Sequence, residues 1–260
     1  MNVFASQLPY VDQIFFCDDD EIRYPERPNT IESEMMHLVN YTTILLIVII
    51  SEITIDLKSS SRRSIDYERA TKILMTILRI TFIFVLDVCG VQSTSLALVI
   101  LKRTSSRLRP NFIAICQPEE LEKLCPLGSN AMIENFQCTG ESRPDLHWSF
   151  PSGHSAHSLF FATFAIYYLH RRFRLPTVLK AFLQLAIFIY AMFVCLSRVR
   201  DYKHRYVDVA GGGLLGITLA LGMIFFVLYD FRALKYRYPE TQESKKLLQK
   251  PRISLDLLEA

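Results

Sequence analysis

Three separated stretches of this 260-residue sequence carry side chains that could grip and cleave a phosphate ester. The richest is Ser-Arg-Val-Arg-Asp-Tyr-Lys-His-Arg-Tyr-Val-Asp, from Ser197 to Asp208. Arg198 offers a planar fork of donors suited to phosphate oxygens. His204 carries the side chain most easily poised between nucleophile and acid near neutral pH. Asp208 follows four residues later, so on a helical turn the two share a face. A carboxylate there can hold one ring nitrogen and leave the other free to attack. Alone, a basic aromatic stretch at a membrane edge is more often an interfacial anchor, so this stretch decides nothing by itself.

The second stretch runs from Lys102 to Pro110, with six residues between Lys102 and Arg109. The third is Pro151-Ser152-Gly153-His154, just before an apolar segment. A small-residue helix start leaves N–H groups aimed outward and favours an anion. Together the three supply the chemistry of phosphate-ester hydrolysis. Lys102, Arg109 and Arg198 neutralise the phosphate oxygens, helped by the backbone N–H groups of Ser152 and Gly153. His204 attacks phosphorus and forms a phosphohistidine, while Asp208 fixes its tautomer. His154 protonates the leaving alkoxide and later activates water. Uncatalysed phosphate-monoester hydrolysis is slow enough to require accelerations of up to about 10²¹-fold, which calls for preorganised charge as well as covalent catalysis. No acidic cluster with metal-like spacing accompanies these residues, so no metal or other cofactor is expected. Asp18, Asp19 and Asp20 read as a solvated acidic face. His157 has no such company and reads as structural.

The elements that must position these groups are apolar spans. Half of the residues are hydrophobic, and they cluster into long runs of the kind that cross a bilayer as helices. Five spans are expected: about 38–57, 73–101, 155–169, 178–196 and 207–229. The third is short and must borrow flanking residues; the second is long enough to tilt or project. Each of the three stretches falls at the end of a span, where a rigid helix can aim it. The fold class is therefore all-α, a polytopic membrane helical bundle. It divides into an N-terminal segment 1–37, a membrane domain 38–230 with a polar loop at 102–154, and a tail 231–260. Within the spans, Glu52 and Asp56 read as structural, and Arg79 and Asp87 read as a pair inside the bundle.

Basic residues orient the chain. The loop at 58–72, the turn at 170–180 and the tail fall on one side, which the positive-inside rule makes cytoplasmic. The N-terminal segment and the 102–154 loop then face the exterior or an organelle lumen, placing the site at the extracellular or luminal face. Lys102, Arg103, Arg107 and Arg109 thus stand where positive charge is normally sparse, which calls for an anionic partner. Cys17, Cys116, Cys125 and Cys138 share that oxidising side as disulfide candidates, with three pairings open. Cys89 and Cys195 read as packing residues. The sequon Asn40-Tyr41-Thr42 lies too close to the bilayer for use. The net charge of +3, with no basic patch beside a recognisable binding motif, gives no case for nucleic acid.

The three stretches match the patterns K-x6-RP, PSGH and SR-x5-H-x3-D, in that order, at Lys102, Arg109, Pro110, Pro151, Ser152, Gly153, His154, Ser197, Arg198, His204 and Asp208. By them the chain resembles the type-2 phosphatidic acid phosphatase superfamily. Phe15-Phe16-Cys17-Asp18-Asp19-Asp20-Glu21-Ile22-Arg23-Tyr24-Pro25 and Arg107-Leu108-Arg109-Pro110-Asn111-Phe112 resemble its wunen-like lipid phosphate phosphatase branch. The resemblance covers roughly Ile14 to Tyr229. It implies a magnesium-independent integral membrane enzyme, acting at the cell exterior or in an organelle lumen. The substrates implied are phosphatidate, lysophosphatidate, sphingosine 1-phosphate and ceramide 1-phosphate. The family has six spans, one of them before the segment resembling Phe15-Phe16-Cys17. About fourteen residues precede that segment here, against about twenty needed to cross, so the expectation is either a five-span variant or a sequence whose start is truncated. The alternatives are a catalytically silent homologue acting in lipid binding or adhesion, and a transporter. The first would lack His204, His154 or the basic ligands. The second would show internal repeats with paired broken helices. Arg205 beside His204 is a further candidate for head-group preference. The partners implied are a lipid phosphate and the bilayer, with homo-oligomerisation left open.

Overall fold

The computed structural model describes residues 14–59, 66–134, 136–141, 143–173 and 176–228. The tail after Asp230, with Arg62, Arg63 and Arg174 of the charges expected on the cytoplasmic side, lies outside the described residues. Among the described residues, five long helices make the bundle: α1 (Ser33–Ser59), α2 (Asp66–Ser105), α3 (Gly153–Arg172), α4 (Thr177–Arg200) and α5 (Tyr206–Gly222). A π-helical turn, Met223–Val227, prolongs α5. Helices α1, α2, α4 and α5 with its extension are long and apolar enough to cross a membrane. They turn Leu46, Phe82, Phe182, Phe188 and Phe226 outward, as a lipid-facing surface requires.

Helix α3 is the exception among the five, and its position explains it. It packs against each of the other four helices. Ser155, His157, Ser158, Phe160, Phe164 and Tyr168 are all buried on it. A helix surrounded by protein needs no apolar outer face, and polar residues in a span turn to the bundle interior. Its 20 residues run about 30 Å at 1.5 Å per residue, about the thickness of a bilayer's hydrocarbon core.

Glycines set the closest approach, between α3 and α5. A Cβ on Gly216 would stand 2.1 Å from the Ala156 carbonyl oxygen, and one on Gly212 2.2 Å from that of Ser152. This small-xxx-small spacing lets two backbones touch. The main core lies around it, with Ile44, Val48, Ile83, Phe161, Phe164, Tyr168, Ala191 and Ile224 fully or nearly buried.

One end of the bundle is locked by charge. Glu52 is fully buried and accepts from Tyr168 (2.9 Å) and Arg172 (2.6 Å) and pairs with Arg79 (3.0 Å). Arg79 also approaches Asp56 at 3.7 Å. The expected Arg79–Asp87 pairing does not form: eight residues along one helix separate the two by about 12 Å. Glu52 and Asp56, both read as structural, are the partners Arg79 takes.

The other end carries a small folded cap. The polar loop after α2 contains the helices Phe112–Cys116 and Leu121–Leu124 and the strand Met132–Ile133, which pairs antiparallel with Phe15–Phe16. Phe15, Ile22, Leu108, Phe112, Ile115 and Leu146 form its core. Of the three pairings left open, the structure has Cys17–Cys125 and Cys116–Cys138. The first ties the N-terminal segment to the loop. Cys195 is buried as expected, whereas Cys89 is exposed on the outside of α2. Asn40 is buried inside α1, where a glycan has no room.

Candidate active site

Four helix ends and one short loop meet under the cap. They are the C-terminal ends of α2 and α4, the N-terminal ends of α3 and α5, and the turn Asp201–Arg205. Gly212 brings the starts of α3 and α5 together, and the Ser152 N–H donates to the Asp208 carbonyl at 2.9 Å. All five predicted cationic or imidazole groups converge here. Lys102, Arg109 and Arg198 each lie close enough to His204 to act on its protonation. The ammonium of Lys102 hangs over the start of α3, where a Cβ on Gly153 would stand 3.7 Å from its Nζ.

His204 is buried, and its Nδ1 lies 2.7 Å from the Ser149 carbonyl oxygen. A carbonyl can only accept, so Nδ1 carries the proton and Nε2 keeps its lone pair. Burial, first, and then the cations Arg109, Lys102 and Arg198 hold the ring well below its ordinary value. Both disfavour the imidazolium, so the imidazole is neutral at physiological pH.

The sequence expectation that Asp208 holds His204 directly is corrected. Asp208 is fully buried and accepts from three other donors: Ser149 Oγ at 2.6 Å, Arg205 N–H at 2.9 Å and Arg107 Nη1 at 3.1 Å. Asp208 stands at the third position of α5 and Arg205 before its first, so its carboxylate closes the helix N-terminus. Its reach to His204 runs through Ser149, whose hydroxyl it holds and whose carbonyl the ring uses. The role expected of the Ser152 N–H is corrected too, because that donor is already given to Asp208. Ser152 keeps a buried hydroxyl, which accepts from Ser155 Oγ at 3.1 Å. Gly153 is the first residue of α3, and its N–H has no intrahelical acceptor.

Arg109 sits against Asp145, with Nε donating to its carbonyl (2.7 Å) and Nη2 near its carboxylate (3.2 Å). Burial works against the charge of Arg109, and Asp145 offsets it. Arg198 is 3% exposed. Its Nη2 donates to Asn29 Oδ1 (2.9 Å), and its Nη1 faces the Ile31 carbonyl (3.4 Å) and Asp201 (3.6 Å). Its Nε is buried with no hydrogen-bond partner. His154 Nε2 lies 3.2 Å from the same Ile31 carbonyl, so Nε2 is the protonated nitrogen and Nδ1 is free.

Several of these residues escaped the sequence reading. Ser149 precedes the Pro-Ser-Gly-His stretch without any mark of its own. Asp201 and Arg107 lay inside stretches already singled out, and there the signal was present. Asn29, Thr30 and Ile31 belong to a segment with no motif, and the chain folds it against Arg198 and Asp201 from 167 residues away or more. Arg205, the head-group candidate, is used structurally: it donates to the Leu108 carbonyl (2.9 Å) and pairs with Glu21. His157, read as structural, is hydrogen-bonded to Ser95 at 3.1 Å and packs on His37. Among the described residues no three His, Cys, Asp or Glu side chains cluster as a metal site would require.

A model of the PAP2 superfamily matches residues 73–232. Among curated proteins, a putative phosphatidate phosphatase of Drosophila melanogaster is 30% identical over 233 residues, covering 82% of this chain and 60% of that protein. Phospholipid phosphatase 1 of Mus musculus is 30% identical over 232 residues, covering 88% and 79%. Phospholipid phosphatase 2 of Homo sapiens is 29% identical over 256 residues, covering 94% and 82%. The chain thus spans 60% of the length of the insect relative and about four fifths of the mammalian ones. No solved structure matches it significantly.

Proposed function

This chain belongs to the PAP2 superfamily, and from that premise we propose that it is a lipid phosphate phosphatase acting through a phosphohistidine. The observation that carries the reading is the neutral, Nδ1-protonated ring of His204 beside Lys102, Arg109 and Arg198. His204 Nε2 attacks phosphorus; the N–P bond forms as the ester P–O bond breaks. With the phosphate monoester bound, its negative charge lets the free Nδ1 of His154 take up a proton from solvent, and the leaving alkoxide takes that proton. His154 then accepts a proton from water, whose oxygen attacks phosphorus and breaks the N–P bond, releasing phosphate and restoring His204. Lys102, Arg109 and Arg198, with the Gly153 N–H, bind the phosphoryl oxygens, and Ser152 supports that helix start. Asp208 acts as a positioning residue through Ser149.

The substrate reading is phosphatidate, lysophosphatidate, sphingosine 1-phosphate or ceramide 1-phosphate. It is supported by the names of the relatives and by the site's place at the end of an apolar bundle. Magnesium independence is part of the same reading, because three side-chain cations fill the charge-neutralising role. The charge distribution and the two disulfides of the cap support a site on the exterior of the plasma membrane, or in the lumen of internal membranes. A catalytically silent role in adhesion finds no lost group to support it.

The test is phosphate release by the purified protein from these four lipids and from a water-soluble monoester, in EDTA, beside His204→Ala. Release undiminished by EDTA and absent in the variant is expected. Normal turnover by His204→Ala would remove His204 as the nucleophile.

A further inference from the structure

We infer that the segment Asn29–Ile31 is part of the catalytic apparatus, with Asn29 a positioning residue that sets the guanidinium of Arg198 for phosphate. The inference rests on the phosphatase reading above. Its basis is how the fork of Arg198 is distributed. Asn29 Oδ1 takes Nη2, and the Ile31 carbonyl and Asp201 take Nη1. The nitrogen left without a partner is Nε, and it is buried. A buried unmet donor on a cation is costly, and an anionic oxygen in the site is the acceptor that satisfies it.

The segment is itself anchored, so it can act as a rigid reference. Thr30 gives both its N–H (2.7 Å) and its hydroxyl (2.6 Å) to the carboxylate of Asp201. Asn29 Nδ2 donates to Glu32 at 3.0 Å. Upstream, Tyr24 stacks on Tyr202 (4.6 Å between centroids), and the Arg27 guanidinium lies 4.3 Å from the centre of that ring. These contacts join the N-terminal segment to the turn that bears His204. The Ile31 carbonyl serves both Arg198 and His154. One short backbone stretch therefore sets two of the groups around the phosphoryl position. Held in this way, the terminal nitrogens are committed to their acceptors, and Nε is left as the donor for an incoming phosphate oxygen. Fixing a donor before the substrate arrives is how such charges become effective.

The experiment is a double-mutant cycle on the purified full chain, read as vanadate affinity from the vanadate-dependent rise in Tm. Vanadate stands in for the transferring phosphoryl group. Asn29 is exposed, so Asn29→Ala should fold. A hydrogen bond to a charged group corresponds to roughly ten- to hundredfold in affinity, and Asn29→Ala is expected to weaken vanadate by about tenfold. Arg198→Ala weakens it further, and the double variant matches Arg198→Ala, because Asn29 acts through Arg198. Asn29→Asp, which keeps the acceptor oxygen, recovers kcat relative to Asn29→Ala. Additive losses in the cycle, unchanged affinity in Asn29→Ala, or an Asp variant as slow as the Ala variant would overturn the inference while leaving the phosphatase reading standing. Failure of the unsubstituted protein to bind vanadate or to release phosphate would overturn that reading, and the inference with it.

Discussion

The imidazole of His204 donates from Nδ1 to the backbone carbonyl of Ser149 over 2.7 Å, and the hydroxyl of the same serine donates to Asp208 over 2.6 Å. One residue thus stands between the carboxylate and the ring. A backbone carbonyl sets the tautomer as surely as a carboxylate would, since it can only accept. It does so without placing a negative charge against the ring, which keeps the imidazole neutral.

Ser149→Ala tests that relay. It removes the hydroxyl and keeps the carbonyl. A hydrogen bond to a charged group contributes about 1.5–3 kcal/mol, and a tenfold rate change corresponds to about 1.4 kcal/mol. The expected outcome is a fall of ten- to hundredfold in kcat with KM little changed. Steady-state kinetics on a water-soluble monoester measures it. An unchanged kcat would mean that Asp208 serves only the helix start.

Protonation gives a second prediction. Burial holds His204 well below its ordinary value of 6.5 and pushes His147 down to about 4. Above pH 6.5 both rings are neutral whether the chain is folded or not. As pH falls from 6.5, the unfolded chain takes up protons that the folded rings refuse. Stability therefore declines from about pH 6.5 toward pH 4, by at most about 1.4 kcal/mol per pH unit for each ring. Tm measured from pH 7.5 to 4.5 should fall on the acid side, less steeply in His147→Gln. A flat profile would contradict the burial of both rings.

The disulfides are separable by experiment. Cys17–Cys125 joins residues 108 apart and Cys116–Cys138 residues 22 apart. In the chain-entropy view, a loop of about 100 residues confers roughly 4.7 kcal/mol and one of about 15 residues roughly 3 kcal/mol. Cys17→Ser should therefore lower Tm more than Cys138→Ser. It should also weaken vanadate, because Cys17 anchors the segment that carries Asn29. Equal vanadate affinity in the two variants would separate the cap from the site.

Gly212 allows the geometry to be disturbed without touching a charge. A Cβ there would meet the Ser152 carbonyl oxygen at 2.2 Å, whereas one on Gly222 meets nothing within 4 Å. Gly212→Ala must push α3 and α5 apart, at a cost of about 1–3 kcal/mol for overpacking. A shift of about 1 Å in a catalytic group can cost about a hundredfold in rate. Gly212→Ala should lose Tm and at least tenfold in kcat, while Gly222→Ala keeps both. Full activity in Gly212→Ala would show that the two helix starts need not touch.

Much of this protein was legible in its residues alone. Apolar runs of about twenty residues can be satisfied only by spanning helices, because a bilayer offers the backbone no other hydrogen-bond partners. Such runs mark α1, α2, α4 and α5, and a shorter third run marks α3. The spacing of Lys102 and Arg109, of Pro151 to His154 and of Arg198, His204 and Asp208 lies within single stretches, so those groups could be read together. Tertiary structure decided what depends on distant partners. The sequence spacing suited an Asp208–His204 contact, but the carboxylate was claimed by Arg107, Arg205 and Ser149, and the ring by a carbonyl that no sequence pattern marks. Arg79 found Glu52 on another helix, not Asp87 on its own. Asn29 and Ile31 reach Arg198 only because the cap folds the N-terminal segment back across the bundle. Hydrogen bonds between residues more than a hundred positions apart follow from how the helices and the cap pack, and local pattern carries no trace of them.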